Sequence, residues 1–185
     1  MKLTTEVSII KSDVFIEHQS PILLIGSCFT ENIGLKLTDN KFDVSVNPNG
    51  IIFNPISVVN SLKRIINISI YSESELKEQN GKWFSFDHHS NFSSFDKPGC
   101  LEQINNSLTK AHEHIMQSKT IFITLGSAWI YEFEGFGIVA NCHKLPNKHF
   151  SKRLLTVKEI LSAFKTIQES LKKYNVVFTV SPVRH

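Results

Sequence analysis

The sequence predicts an α/β fold in which helices cover a parallel β-sheet. Short apolar runs alternate along the chain with longer stretches that have apolar residues at helical spacing, which is the pattern of βα units. Two of the apolar runs stop on a glycine, as strands do when they enter a tight turn. With 185 residues and 41% hydrophobic residues, the chain has enough material for the core of one domain, which we expect to span 1–185.

The first strand and helix follow from residues 22–37. The apolar run Ile22-Leu23-Leu24-Ile25 ends on Gly26 and predicts a buried strand over 22–25. Apolar side chains among polar ones predict a helix over 30–37, although Gly34 weakens this signal.

The next two elements are separated by a turn. Residues 42–46 alternate between apolar and polar with period two, which predicts a second strand. The segment Asn47–Gly50 has the composition of a turn. Asn54 as the cap and Pro55 at the first helical position then predict a helix through residue 66.

The segment 71–99 does not show this alternation of strand and helix patterns. It is rich in Ser, Asn, His and Phe, and we expect a loop insertion over the sheet edge, since long irregular segments in compact domains tend to be lids or binding loops. Within it, His88-His89-Ser90 is a candidate part of such a lid or simply an exposed loop. Beyond it we predict a helix over 101–116, a strand over 120–125, a hairpin of 129–133 and 137–140 around Glu134-Gly135, a helix over 156–174 and a strand over 176–180.

Charge and cysteine content limit the function classes. The formal net charge is +3 and the basic residues are scattered, so we expect neither a nucleic-acid nor a membrane-surface partner. Cys28, Cys100 and Cys142 include no close-spaced pair, which argues against a disulfide framework and a zinc knuckle. No apolar run approaches the roughly 20 residues of a membrane span, and the start lacks a signal-peptide pattern, so we expect a cytoplasmic protein.

The carboxyl edge of the predicted sheet carries the candidate site. Three strands run into Gly26, the turn Asn47–Gly50 and Gly126, and ligands of open parallel sheets bind at that edge. Ser27 and Cys28 follow the first strand at the start of a helix. Unpaired backbone N–H groups and the positive end of the helix dipole favour a thiolate or a developing oxyanion there.

Candidate roles follow from this placement. Cys28 or Ser27 is the expected nucleophile, although a purely structural turn is the alternative. Donors for an oxyanion are the Cys28 N–H, the Gly50 N–H and the Asn141 amide. His143 is a candidate base or substrate contact, or a structural residue. A metal site of Cys28, Cys142, His143 and His149 fits no recognised zinc spacing, and we expect no metal.

Five blocks in order along the chain resemble the GSCFA-domain family of bacterial proteins. The first, Gly26-Ser27-Cys28-Phe29-Thr30, has Thr30 where the family name has Ala. The others are Asn47-Pro48-Asn49-Gly50-Ile51-Ile52-Phe53-Asn54-Pro55, Thr124-Leu125-Gly126-Ser127-Ala128-Trp129-Ile130-Tyr131-Glu132, Val139-Ala140-Asn141-Cys142-His143-Lys144-Leu145-Pro146 and Thr179-Val180-Ser181-Pro182-Val183-Arg184-His185.

This family resembles in turn the SGNH/GDSL hydrolases, which cleave acyl esters. The resemblance implies a three-layer α/β sandwich with a parallel sheet, in which Cys28 takes the nucleophile position and Ser27 stands where the hydrolases have Asp. Gly50 and Gly126 match the glycines of the second and third blocks. Ala128 stands where the third block has its asparagine, and Asn141 is a candidate to replace it in space.

The resemblance also implies that the chain is the front portion of a longer domain, incomplete at its C-terminus. The Asp-x-x-His block of the hydrolases would follow residue 185, so the base is expected from missing sequence, or from His143 or His185.

We therefore expect one of two functions for the site at the carboxyl edge of the sheet. The first is an acyl-ester or thioester hydrolase or acyltransferase, with a small acylated or carbohydrate substrate, no cofactor, and His89 and Gly126 at the substrate. The alternative is a non-catalytic module that binds a glycan or acyl group. The sequence indicates no oligomeric state.

Overall fold

The structure is a computed structural model that describes residues 12–180. Its strands are β1 (Ile22–Gly26), β2 (Val44–Val46), β3 (Lys77–Gln79), β4 (Lys82–Phe84), β5 (Thr120–Leu125), β6 (Trp129–Phe133), β7 (Gly137–Val139), β8 (Phe150–Leu154) and β9 (Asn175–Val180). Its α-helices are α1 (Cys28–Asp39), α2 (Pro55–Asn67), α3 (Lys97–Gln117), α4 (Val157–Lys165) and α5 (Gln168–Leu171).

The main sheet has four parallel strands in the order β2-β1-β5-β9. The predicted α/β class with a parallel sheet is therefore confirmed. All five residues of β1 are buried, because β1 lies between β2 and β5 and is covered on both faces.

The largest part of the core lies between the sheet and the helices α2 and α3. Alternate residues of β1 and β5 point to this face and are fully buried, and each such side chain contributes roughly 1.5–3 kcal/mol through removal from water. They are Leu23, Ile25, Ile121 and Ile123, and they pack against helix residues that include Val58, Leu62, Ile65, Ile104, Leu108 and Ile115.

Helix α1 covers the opposite face of the sheet. Val46 of β2 is in register with Leu24, whose side chain points away from those of Leu23 and Ile25. Gly34 lies directly on Val46, since an added Cβ would come 2.5 Å from Val46 Cγ2. The glycine that weakens the helix signal in the sequence thus lets α1 approach the sheet closely, and helices lie on both faces as in an α/β sandwich.

Most of the predicted elements form within a few residues of their expected bounds. The start of α2 is confirmed in detail, because the Asn54 side chain accepts a hydrogen bond of 2.8 Å from the Ser57 N–H and Pro55 is the first helical residue. Helix α1 begins at Cys28, two residues earlier than expected, which places the thiol in its first turn.

Segment 71–99 contains structure where the sequence predicts a loop. Strands β3 and β4 form an antiparallel hairpin around Asn80 and Gly81, which have φ of 53° and 77°. An Asn-Gly pair adopts this left-handed turn readily, so the dipeptide is the signal that the sequence analysis missed. The helix after the segment starts at Lys97, capped by the Asp96 side chain, rather than at residue 101.

The structure differs from the prediction in two further places, both in the second half of the chain. The expected hairpin of β6 and β7 forms, but β8 joins it on the other side of β6 as an unexpected third strand with mostly exposed residues. The single helix expected over 156–174 is divided into α4 and α5 around Ile167, a buried residue with φ of −117°. In the described part of the chain, none of the helices has the length and apolar character needed to cross a membrane.

Replacement of Gly26 by alanine should destabilise the fold strongly. Gly26 has φ of +141°, and a Cβ there would overlap the Thr124 carbonyl of β5. We expect Gly26→Ala to lower the free energy of unfolding by about 3 kcal/mol or more through strain and overlap. Urea unfolding measures this difference.

Gly135→Ala is the matched control. Gly135 also has a positive φ of +75°, but no atom lies within 4 Å of an added Cβ. The control should therefore cost only about 1 kcal/mol, from the left-handed conformation alone. Equal losses for the two variants would contradict the close contact between β1 and β5.

Candidate active site

The three loops that follow β1, β2 and β5 meet at the carboxyl edge of the sheet. The Gly26 N–H donates to Asn47 Oδ1 at 2.8 Å, and the Ile52 N–H donates to the Gly26 carbonyl at 2.9 Å. The Phe53 carbonyl accepts from the N–H groups of Gly126 and Ser127, both at 3.1 Å. The segment 47–53 thus joins the other two loops, and the expected convergence is confirmed.

Cys28 is the exposed nucleophilic side chain of this edge. It is the first residue of α1, and its thiol forms no hydrogen bond to any of the described residues. The backbone N–H groups of Cys28 and Phe29 likewise donate to no described residue, as expected for the first turn of a helix. The thiol therefore lies beside two unused donors at the positive end of the α1 dipole.

Ser27 occupies a different environment from its neighbour. It is the N-cap of α1 and only 3% exposed, and its Oγ has no hydrogen-bond partner among the described residues. An added Cβ at Gly126 would lie 3.0 Å from Ser27 Cβ, so the two residues are in contact. A substrate would reach the Cys28 thiol more easily than this buried hydroxyl.

The expected oxyanion donors are only partly available. The Gly50 N–H donates to the Asn47 carbonyl at 2.7 Å, and the Gly126 N–H is bound to Phe53, so neither is free in this structure. Asn141 Oδ1 accepts from the His143 N–H at 2.8 Å, while its NH₂ group has no partner among the described residues. The Cys28 N–H and the Asn141 amide remain as donors from the predicted set.

Asn47 is a polar residue of the site that the sequence analysis treats only as part of a turn. Its Oδ1 holds Gly26, and its buried Nδ2 has no partner in the described part of the chain. Asn47 could have been recognised as a site residue from its position directly after β2, at the edge where the other candidate residues lie.

His143 is held by a carbonyl and an aromatic ring. Its Nε2 lies 2.8 Å from the Ser85 carbonyl, and its ring stacks on Phe84 with 4.3 Å between centroids. Burial lowers the pKa of His143 to about 4, so the ring is neutral at physiological pH. Among residues 12–180, no histidine forms a hydrogen bond with Ser27 or Cys28.

His88 and His89 fasten segment 71–99 to the turn after β2. The His89 N–H donates to the Asn49 carbonyl at 2.8 Å, and its side chain lies against Gly50. His88 is buried, and its Nε2 accepts from Asn49 Nδ2 at 3.1 Å. Burial, with smaller contributions from Arg64 and His143, lowers the pKa of His88 to about 3. This segment is therefore packed on the site rather than being an exposed loop.

A groove of about 420 Å³ lies beside Gly126. Ser127 and Phe53 form one side of it, and the remaining lining includes Trp129, Tyr131, Asn141, Cys142 and Lys152. The lining includes neither Ser27 nor Cys28, but Ser127 of the lining follows Gly126, which contacts Ser27. Sequence analysis did not identify this groove, since the strand β8 that supplies Lys152 carries only a weak apolar pattern.

His185, a candidate base, lies outside the described residues. Within those residues, no three side chains of His, Cys, Asp or Glu are grouped so that they could hold a metal ion.

Comparison with known proteins gives one match. A model described as the GSCFA family matches residues 21–185, which includes every candidate site residue. No curated protein and no solved structure matches the chain.

Alkylation should distinguish Cys28 from the other two cysteines. Burial raises the pKa of both Cys142 and Cys100, and the Cys100 thiol also donates to the Phe92 carbonyl at 3.2 Å. We expect iodoacetamide to modify Cys28 roughly tenfold faster or more in the folded protein, because the thiolate reacts and Cys28 is exposed. Peptide mapping by mass spectrometry measures the three rates, and equal rates would contradict this interpretation.

Acid should destabilise the fold through His88. The folded state holds this ring neutral, with a pKa near 3 against 6.5 for the free side chain, so it contributes full stability above pH 6.5. The contribution is lost as the pH falls towards 3, and amounts to roughly 2 kcal/mol between pH 8 and pH 5. Urea unfolding at the two pH values measures the loss.

His88→Gln is the matched variant for this experiment. Glutamine offers Asn49 a hydrogen-bond acceptor but does not titrate, so the variant should lose less stability between pH 8 and pH 5 than the unsubstituted chain. An identical loss in both proteins would show that His88 is not the group responsible.

Proposed function

Because the chain belongs to the GSCFA family, we propose that it is an acyl-ester or thioester hydrolase or acyltransferase with Cys28 as its nucleophile. One observation carries this proposal: an exposed thiol is the first residue of α1, where the ends of three parallel strands meet. A thiolate is intrinsically nucleophilic and needs less help from a base than a hydroxyl, which favours Cys28 over the buried Ser27.

The reaction would begin with attack of Cys28 Sγ on the substrate carbonyl. A C–S bond forms, the carbonyl oxygen becomes an oxyanion, and the free N–H groups of Cys28 and Phe29 and the Asn141 amide are the donors that support its charge. Collapse breaks the bond to the leaving alcohol or thiol, which takes up the proton lost by the Cys28 thiol. Water, or an acceptor hydroxyl, then attacks the acyl thioester and releases Cys28.

The proposed reaction also needs a base that accepts the proton of the Cys28 thiol. Nε2 of His143 is occupied by the Ser85 carbonyl, and the low pKa of this ring makes it a weak base. Of the two histidines on this chain expected as bases, His185 is therefore the better candidate. His185 lies outside the described residues, and in the sequence it comes five residues after the end of β9.

A binding module is the second candidate function. It is favoured by the exposed aromatic side chains Trp129 and Tyr131 in the groove, together with the lack of a histidine bound to Cys28 among the described residues. Such a module would hold an acyl group or a glycan in the groove without turning it over.

Loss of the Cys28 thiol should abolish turnover. We expect Cys28→Ala to reduce hydrolysis of p-nitrophenyl butyrate and of a butyryl thioester by roughly a thousandfold or more, because removal of a nucleophile eliminates the covalent route. Cys100→Ala is the control and should retain turnover, since Cys100 lies on α3 and is not among the residues that line the groove. Stopped-flow or steady-state absorbance measures the rates.

The remaining outcomes of this experiment separate the alternatives. If Ser27→Ala loses turnover and Cys28→Ala keeps it, Ser27 is the nucleophile and the assignment to Cys28 is wrong. If the unsubstituted chain shows no turnover above the buffer rate but binds the ester, the binding module is the correct function.

A further inference from the structure

Two grooves share Asn141 in their linings, and we call them together the cleft. The first is the groove beside Gly126, and the second, of about 500 Å³, lies between β4, the 90–93 turn and the loop after β7. Asn141 lines both grooves. A ligand that occupies both grooves would therefore pass Asn141.

The cleft carries positive charge that nothing in it neutralises. Lys152 lines the first groove, and Lys82 and Lys144 line the second. Neither lining includes an Asp or a Glu, and in the described part of the chain none of the three ammonium groups lies within 4.0 Å of a carboxylate. His143 is neutral because burial lowers its pKa. The cleft thus favours an anionic ligand.

The first groove also offers aromatic faces. Trp129 and Tyr131 are alternate residues of β6, so their side chains share one face of the strand, and Lys152 of β8 is in register with Tyr131. The Lys152 ammonium lies 4.7 Å from the Trp129 ring centroid and 5.6 Å from that of Tyr131. A ring that stacks on these faces would displace the ammonium, which then becomes free to pair with a negative group on the ligand.

The second groove contributes neutral hydrogen-bonding groups. Its lining includes the side chains of Gln79, Ser90, Asn91 and Ser93. Such groups can form hydrogen bonds with the hydroxyl groups of a ligand. The four of them outnumber the three lysines of the cleft. A nucleic acid strand carries one negative charge per nucleotide and calls for a denser row of cations than three lysines over both grooves.

We propose that the cleft through Asn141 binds an acidic oligosaccharide, in which sugar rings stack on Trp129 and Tyr131 while ring carboxylates pair with Lys82, Lys144 and Lys152. This inference names the substrate class of the proposed function and rests on it for the chemistry alone, because binding in the cleft does not require Cys28 to react.

Calorimetric titration of the full chain with trigalacturonate tests the inference. We expect binding that weakens as salt is added, and a neutral galactose trisaccharide of the same linkage should bind at least about tenfold more weakly, since it lacks the carboxylates. Lys82→Gln, Lys144→Gln and Lys152→Gln should each raise Kd about threefold to fivefold, as expected for exposed ion pairs.

The controls separate this inference from the proposed function. Lys165→Gln, an exposed lysine at the end of α4, should leave Kd unchanged. Cys28→Ala should also leave Kd unchanged while it removes turnover of esters, so a failed nucleophile and a failed cleft give different results. Three results would overturn the inference: no binding of trigalacturonate, equal binding of the neutral trisaccharide, or tighter binding of hexathymidylate than of trigalacturonate.

Discussion

The site depends on the backbone of Gly26. Its N–H is bound by the Asn47 side chain, its carbonyl accepts from Ile52, and its Cα lies so close to β5 that a side chain would overlap Thr124. These contacts draw the ends of three strands into one corner. Because α1 begins two residues later, the same constraint decides where Cys28 and the free N–H groups of its first turn lie.

Burial separates the candidate side chains of this corner into different roles. Ser27 and Asn47 are buried and hold or line the turn, whereas Cys28 is exposed. Burial keeps His88 and His143 neutral. His88 binds the Asn49 side chain and so ties segment 71–99 to the turn after β2, whereas His143, in the loop after β7, binds the Ser85 carbonyl of the same segment. The histidines near the site thus support its shape, whereas the Cys28 thiol is exposed at the positive end of the α1 dipole.

The sequence predicts the central strands β1 and β5 well because both are apolar runs that end on a glycine. It also predicts the corner where the loops meet, since the topology of a parallel sheet places the carboxyl ends of its strands together. The Gly50 N–H is used in a local turn bond to the Asn47 carbonyl, which agrees with the turn predicted over 47–50. The partner of His143 and the grooves could not be predicted, because they depend on long-range contacts with Ser85 and with β8. The hairpin β3-β4 could have been predicted, because its Asn80-Gly81 pair is a strong local turn signal.

The most direct test of the account is a crystal structure of the chain after reaction with a trifluoromethyl ketone, which mimics the tetrahedral intermediate. We predict a covalent bond from Cys28 Sγ to the ketone carbon. The former ketone oxygen should lie about 3 Å from the backbone nitrogen of Cys28 or Phe29. An adduct on Ser27 or Cys142, or an oxygen directed away from the first turn of α1, would contradict it.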